Sequence, residues 1–185
     1  MFIQNGRGNG DFRAGVDVDG RVFTKSIVVH DDNNANEFGL SWTFTFSVTT
    51  TGTDNVIFYV KNTGNDELEL TDIRIFSDQA NDYDFAEVTG TPSGGTAITP
   101  ANKNLGSAKT PEVTVEDGII TGLTYGTQLY NIYVKANDLS SFKTSSHIKI
   151  PNNKAMAIRW RGTTGAVLKG TVSIHKDVFN HPELI

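Results

Sequence analysis

The chain contains no cysteine among its 185 residues. Disulfide bonds, thiol catalysis and cysteine-ligated metals are therefore excluded, and the fold has to be stable without covalent links. No apolar run is long enough to cross a bilayer, so no membrane partner is expected. The first residues lack a positively charged stretch followed by an apolar one, which predicts a soluble protein made in a cytoplasm without an export signal.

Basic clusters are also missing. The 16 lysines and arginines are outnumbered by 21 aspartates and glutamates, the net charge is -5, and no segment concentrates positive charge. Proteins that bind nucleic acid depend on basic groups that displace counterions from the phosphates. Direct binding of nucleic acid is therefore not expected.

Helical periodicity is absent, whereas strand periodicity is pronounced. No window keeps a helical spacing of apolar residues over three turns, and residues 138–142 allow one helical turn at most. Residues 40–49 instead alternate strictly, with one side formed by Leu40, Trp42, Phe44, Phe46 and Val48. Side chains of a strand point to opposite faces in turn, so this segment predicts a half-buried antiparallel strand with one hydroxyl-rich face. Its Trp42, like Trp160 later in the chain, is predicted to lie in the core.

Further strands are predicted along the chain. Residues 56–60 are apolar on both faces, which indicates a central strand. The apolar positions of residues 68–75 change phase, and a bulge near Thr71 and Asp72 would restore the register. The pair Asp117-Gly118 predicts a two-residue hairpin turn, and residues 77–111 are expected to form loops with one short strand around residues 84–88.

This organisation predicts an all-β fold. Many short strands without helical crossovers favour a two-sheet antiparallel β-sandwich of jelly-roll or Greek-key type. The glycine-rich residues 1–20 are interpreted as an extended N-terminal arm, residues 21–178 as the sandwich domain and residues 179–185 as a short C-terminal tail. A disordered N-terminal tail is the alternative to the arm, because chain termini are often unordered.

Candidate catalytic groups are weakly indicated. The histidines lack the close spacing of metal ligands, which favours surface or cross-strand positions for His30, His147, His175 and His181. No Gly-x-Ser-x-Gly elbow accompanies the serines. Carboxylates cluster around predicted turns at residues 66–69, 78–87 and 116–117, where they are expected to be solvated rather than buried with a raised pKa. No catalytic residue and no cofactor are therefore predicted, and the chain is not expected to be an enzyme.

Two binding motifs are incomplete. Asp17-Val18-Asp19-Gly20, with Asp31 and Asp32 nearby, matches only the opening of a calcium loop, so a turn is favoured over a metal site. A sugar-binding platform would need exposed aromatic rings, for which the candidates are Tyr83, Tyr125 and Tyr130.

Several short motifs follow one another along the chain. They are the leader Asn5-Gly6-Arg7-Gly8-Asn9-Gly10 and the segments 14–26, 56–62, 68–73, 150–158 and 170–175. In this order they resemble small structural proteins of tailed-bacteriophage virions, of the kind that decorate the capsid as cement or auxiliary subunits. The resemblance implies a non-enzymatic protein on the capsid exterior, whose partners are the phage major capsid protein and further copies of itself in a homotrimer.

The N-terminal arm is the predicted binding element. An extended arm can lie along neighbouring subunits through main-chain hydrogen bonds. Its apolar residues would insert and its arginines would pair with shell carboxylates, which selects Phe2, Ile3, Arg7, Phe12, Arg13 and Arg21. Leu184 and Ile185 are further docking candidates, unless the tail is frayed. Two alternatives stay open, a tail, baseplate or fibre component of the same virion and a carbohydrate- or receptor-binding β-sandwich.

Overall fold

The described residues form eleven β-strands. The computed structural model of the chain describes residues 14–16, 22–24 and 35–176. The strands are β1 (Ala14–Val16), β2 (Val22–Thr24), β3 (Ser41–Thr49), β4 (Val56–Asn62), β5 (Leu68–Ser77), β6 (Asn81–Ala97), β7 (Ala101–Asn102), β8 (Val113–Val134), β9 (Asp138–Ile150), β10 (Ala155–Trp160) and β11 (Val167–Lys176). All their pairings are antiparallel, and residues 35–37 add one short helical turn. The predicted all-β class is confirmed.

Two layers of strands pack around one main core. One layer is a five-stranded sheet with the order β7-β3-β11-β5-β9, and the other is a closed four-stranded barrel formed by β10, β4, β8 and β6. Between them, Phe46 of β3 meets Phe58 of β4 with ring centroids 5.6 Å apart. Antiparallel sheets thus pack face to face as predicted, although closure of one layer into a barrel was not predicted. The jelly-roll or Greek-key connection stays a prediction.

Strand β3 has the two faces that its alternation predicts. Its even-numbered residues are buried in the main core, whereas Thr45, Ser47 and Thr49 are exposed. Trp42 and Trp160 are both buried in the core, as predicted. Strand β3 is therefore a scaffold element that supplies a large share of the aromatic core.

The predicted bulge in β5 is confirmed. Leu70 pairs with Ile174 and Asp72 pairs with Ser173, which are consecutive residues of β11. Thr71 is therefore the extra residue of the ladder. Because one extra residue reverses the phase of alternation, Leu68, Leu70, Ile73 and Ile75 all reach the same core.

The predicted hairpin turn at Asp117-Gly118 is wrong. Both residues lie inside β8, where Asp117 pairs with Phe58 of β4 on one side and with Thr96 of β6 on the other. Gly118 has φ of +112°, and the ladder with β4 changes register here. The glycine therefore permits a bulge in a strand that is held on both sides, instead of reversing the chain.

Residues 77–111 are more regular than predicted. Strand β6 continues through Thr91-Pro92-Ser93-Gly94-Gly95, with register shifts on both sides of Ser93. At Gly90 a Cβ atom would lie 2.5 Å from the carbonyl oxygen of Gly122, so glycine allows the two strands of this ribbon to approach closely. The single helical turn allowed at residues 138–142 is also wrong, because these residues begin strand β9.

A second, smaller core lies on the other face of the barrel strands. It contains Val56, Tyr59, Val88, Ile120, Ala155 and Ala157. Strand β4 contributes to both cores, which confirms the prediction that residues 56–60 form a central strand with two apolar faces. Both faces of β4 are therefore packed against apolar side chains.

Candidate functional site

The residues predicted to bind a partner lie outside the described part of the chain. They are Phe2, Ile3, Arg7, Phe12, Arg13 and Arg21. The incomplete calcium motif at residues 17–20 with Asp31 and Asp32, and the tail residues Leu184 and Ile185, lie outside it as well. These assignments stay predictions, and the sites below are built from residues 35–176.

A buried carboxylate joins the strands at one end of the barrel. Asp84 of β6 is 3% exposed and lies between Asn131 of β8 and Arg159 of β10. Asn131 Nδ2 donates a hydrogen bond of 2.8 Å to Asp84 Oδ1, and Arg159 Nη2 donates one of 2.8 Å to Asp84 Oδ2. Arg161 Nη1 lies 3.5 Å from the same carboxylate, and its Nε lies 3.2 Å from Asp54 Oδ1. This network connects β6, β8, β10 and the segment that leads into β4.

The electrostatics of the network favour a structural role. Burial raises the pKa of the Asp84 carboxyl, but hydrogen bonds from Asn131 and Arg159 and the charges of Arg159 and Arg161 outweigh it, so this pKa lies below its ordinary value. A general acid needs a raised pKa instead. The Arg159 guanidinium also lies 4.1 Å from the centre of the Tyr125 ring, a cation–π contact. Burial is the largest influence on the Tyr125 hydroxyl and raises its pKa to about 12, so this hydroxyl is neutral at neutral pH.

A second charged cluster crosses the five-stranded sheet on the face opposite the main core. Glu69 of β5 pairs with His175 of β11 and with Lys149 of β9. His175 Nε2 lies 3.0 Å from Glu69 Oε2, and Lys149 Nζ lies 3.2 Å from Glu69 Oε1 and 2.6 Å from Glu67 Oε1. Hydrogen bonds to the two glutamates raise the pKa of Lys149 above its ordinary value, so the ammonium is charged at neutral pH. The cluster ties three neighbouring strands together.

The prediction that the turn carboxylates are solvated is wrong for Glu69 and Asp84. Glu69 is only 5% exposed, and both residues lie within strands. The sequence contained a signal for this placement, since Glu69 stands between Leu68 and Leu70, and Asp84 stands between two aromatic residues. A carboxylate that alternates with core residues occupies the opposite face of a strand, where neighbouring strands can supply its partners.

Of the four histidines, the structure describes the side chain of His175 alone. His175 is a buried cross-strand residue, which confirms that part of the prediction, whereas His30 and His181 lie outside the described ranges. Ser41 pairs with His175 across β3 and β11, so the row Ser41–His175–Glu69 has the residue types of a hydrolase triad. Both Ser41 and His175 are buried, and among the described hydrogen bonds the Ser41 hydroxyl has none to the imidazole. Among the side chains that the structure describes in residues 35–142 and 148–176, no group of three or more acidic, histidine or cysteine residues is placed to hold a metal ion.

The three tyrosines predicted as a sugar platform are not exposed. Tyr83 is fully buried with its ring centroid 5.0 Å from that of Trp160, and Tyr130 is half-buried with its ring 4.9 Å from that of Phe142. Tyr125 is half-buried beside Arg159. The exposed ring belongs to Tyr133, which sequence reasoning missed. The sequence did indicate that Tyr133 is exposed, because it alternates with Ile132 and Val134, whose side chains face the main core.

A cleft opens where β3 begins and β11 ends. Its volume is about 660 Å³, and its apolar lining includes Leu40, Trp42 and Leu68. The loop after β7 forms one wall, where the Lys109 carbonyl accepts a hydrogen bond of 3.0 Å from Trp42 Nε1. The same loop carries Leu105, whose side chain is almost completely exposed. This end of the molecule therefore combines a cleft, whose lining also includes Asp66, Glu112 and Lys176, with one fully exposed leucine.

Comparison with family models and with curated proteins gives no match. Among residues 35–176 and the two short strands before them, no helix has the length and apolar character needed to cross a membrane. No protein-family model matches the chain, and no curated protein matches its sequence.

Proposed function

We propose that the protein is a non-enzymatic structural subunit of a tailed-bacteriophage virion, which decorates and stabilises the capsid from its exterior. One observation supports this role most strongly. The buried charged side chains of the described chain form cross-strand ion pairs around Asp84 and Glu69, and these pairs reinforce the scaffold. The class of assembly comes only from the resemblance of the sequence motifs to those of virion auxiliary proteins.

The scaffold suits a mechanical task. Two cores share the central strand β4, and the closed barrel has fewer free strand edges than an open sheet would have. The edge of β3 is also protected, because Asp117 Oδ2 accepts a hydrogen bond of 3.3 Å from the main-chain N–H of Ser47. Such a subunit can hold its shape while it is bound to a shell under load.

The proposed partners are the major capsid protein and further copies of this chain. The arm residues Phe2, Ile3, Arg7, Phe12, Arg13 and Arg21 would contact the shell, with arginines paired to carboxylates and apolar residues inserted between subunits. A homotrimer would match three-fold positions of the shell.

The proposal is tested by binding to purified phage shells. The full chain, a variant without residues 1–20 and a variant without residues 179–185 are sedimented with shells, after urea unfolding has shown that each variant is folded. We expect the full chain and the C-terminal truncation to sediment with shells, whereas the N-terminal truncation stays in the supernatant. Full occupancy by the variant without residues 1–20 would overturn the assignment of the arm, and no binding by the full chain would overturn the capsid assignment.

A tail, baseplate or fibre component is the second candidate, because the same scaffold would serve it. Purified tails included in the same experiment distinguish the two. Binding to tails without binding to shells would favour the second candidate.

A further inference from the structure

Tyr133 stands at one end of the barrel in a row of polar residues. It lies directly opposite Asp82 of β6, whose carbonyl accepts a hydrogen bond of 3.0 Å from the N–H of Arg161. The adjacent row holds Asn131 opposite Asp84. Directly opposed residues of an antiparallel pair project from the same face, so these side chains form one surface. We call the surface made by Tyr133, Asp82, Arg161, Asn131 and Asp54 the barrel-end platform.

The aromatic ring of the platform is accessible. Tyr133 is 60% exposed, whereas the other four of the five tyrosines are buried or half-buried. The backbone of strand β8 is positioned at this point by the flanking residues Ile132 and Val134, which pack in the main core. An exposed tyrosine ring offers an apolar face and a hydrogen-bonding hydroxyl to a ligand.

Polar side chains with remaining donor or acceptor capacity lie on the same strand face as the ring. The hydrogen bonds described for Asp82 involve its main chain, whose N–H donates to Asn81 Oδ1 and whose carbonyl accepts from the N–H of Arg161. The ion pairs of Arg161 involve Nε and Nη1, which leaves its Nη2 group as a donor. Asn131 donates through Nδ2 to Asp84, so its Oδ1 is an available acceptor. Neighbouring strands lie about 4.8 Å apart, so the platform extends about 10 Å from β8 to β10.

The charge of this surface selects the class of ligand. Asp54, Asp82 and Asp84 carry three negative charges, whereas Arg159 and Arg161 carry two positive ones. The excess of negative charge disfavours an acidic ligand, and the mixture of donors and acceptors around an exposed ring favours a neutral ligand rich in hydroxyl groups.

We propose that the barrel-end platform binds a neutral saccharide, with one sugar ring stacked on Tyr133 and its hydroxyl groups bonded to Asp82 and Arg161. The Asp84 carboxylate in the adjacent row lies 3.5 Å from Arg161 Nη1 and helps to position this guanidinium. This binding activity is separate from the proposed attachment to a capsid, and either can fail alone.

The test uses the full chain and a glycan array, followed by saturation-transfer NMR with the neutral glycans that bind and with sialyllactose as an acidic probe. We expect at least one neutral glycan to bind. Saturation should then be transferred to the C–H protons of its sugar ring, and no saturation should be transferred to sialyllactose. Tyr133→Ala should weaken binding about tenfold or more, whereas Tyr133→Phe should retain most of it. Leu139→Ala is the matched control, because Leu139 is as exposed as Tyr133 but lies on the five-stranded sheet.

Three results would overturn the proposal. They are an array without neutral glycan ligands, equal binding by Tyr133→Ala and the unmodified chain, and a preference for sialyllactose. Urea unfolding of each variant accompanies the binding experiment. Because Tyr133 is largely exposed, its substitution should leave the unfolding midpoint nearly unchanged.

Discussion

Deletion of Thr71 should leave the fold intact, although it removes a residue from the middle of a central strand. Thr71 is the extra residue of the bulge, because its neighbours Leu70 and Asp72 pair with consecutive residues of β11. Without it, β5 alternates regularly, and Leu70 and Ile73 still face the main core. The side chain contributes one long hydrogen bond, 3.5 Å from Oγ1 to the carbonyl of Ser173. We expect the free energy of unfolding to change by about 1 kcal/mol or less.

Deletion of Thr45 is the matched control. The ladder between β3 and β11 has no register shift from residue 41 to residue 49, so a deletion has no bulge to absorb it. One half of β3 must then reverse its faces, which would expose two core residues such as Phe46 and Val48. At about 1.5–3 kcal/mol for each side chain, the loss is about 3–6 kcal/mol, a large fraction of the stability of a typical domain. Thr45 itself is exposed, so the loss cannot come from its own side chain.

Urea unfolding measures both variants, with tryptophan fluorescence and circular dichroism as independent probes. The expected result is a cooperative transition near the midpoint of the unmodified chain for the Thr71 deletion. The Thr45 deletion should show a strongly lowered midpoint or no folded state. Equal damage by the two deletions would refute the argument that alternation and register, rather than the identity of the removed residue, decide this fold.

Three further predictions concern side chains that the structure holds in place. Asp84→Asn weakens the charge-assisted hydrogen bond from Arg159 and should cost about 1.5–3 kcal/mol in urea unfolding. Because the folded pKa of Asp84 is lowered, its ionised form stabilises the fold above the unfolded pKa, and the difference between this variant and the unmodified chain should shrink as pH falls below about 4. Gly170→Ala should cost about 1–3 kcal/mol, because its Cβ would overlap Phe46 Cζ, whereas Gly52→Ala, whose Cβ would lie 3.7 Å from Asn55 Nδ2, should change little. Thr50→Val removes the oxygen that accepts the buried Ala166 N–H, so the thermal midpoint should fall by an amount equivalent to about 1–3 kcal/mol; an unchanged midpoint would contradict this.

Much of the fold could be predicted from alternation alone. The faces of β3, the two-sided burial of β4 and the bulge at Thr71 depend on neighbouring residues of one strand, and the structure confirms all three. These features are local, because the side-chain period of a strand is two residues wherever the strand lies.

The predictions that proved wrong concern segments whose structure depends on pairing with strands far away in the sequence. Asp117-Gly118 has a strong local preference for a turn, but β4 and β6 pair on either side of it and keep the chain extended. The same effect carries β6 through its glycines and Pro92. The site residues were missed for a related reason, since the partners of Asp84 are 47 and 75 positions away along the chain and only the closed barrel brings them together.

The central claim is that this chain is a structural subunit on the exterior of a capsid. Electron cryomicroscopy of the virion that contains it tests this claim most directly. We predict density for a two-layer β subunit on the outer surface of the shell, at three-fold positions. Density for the subunit in the tail, or a shell without it, would contradict the claim.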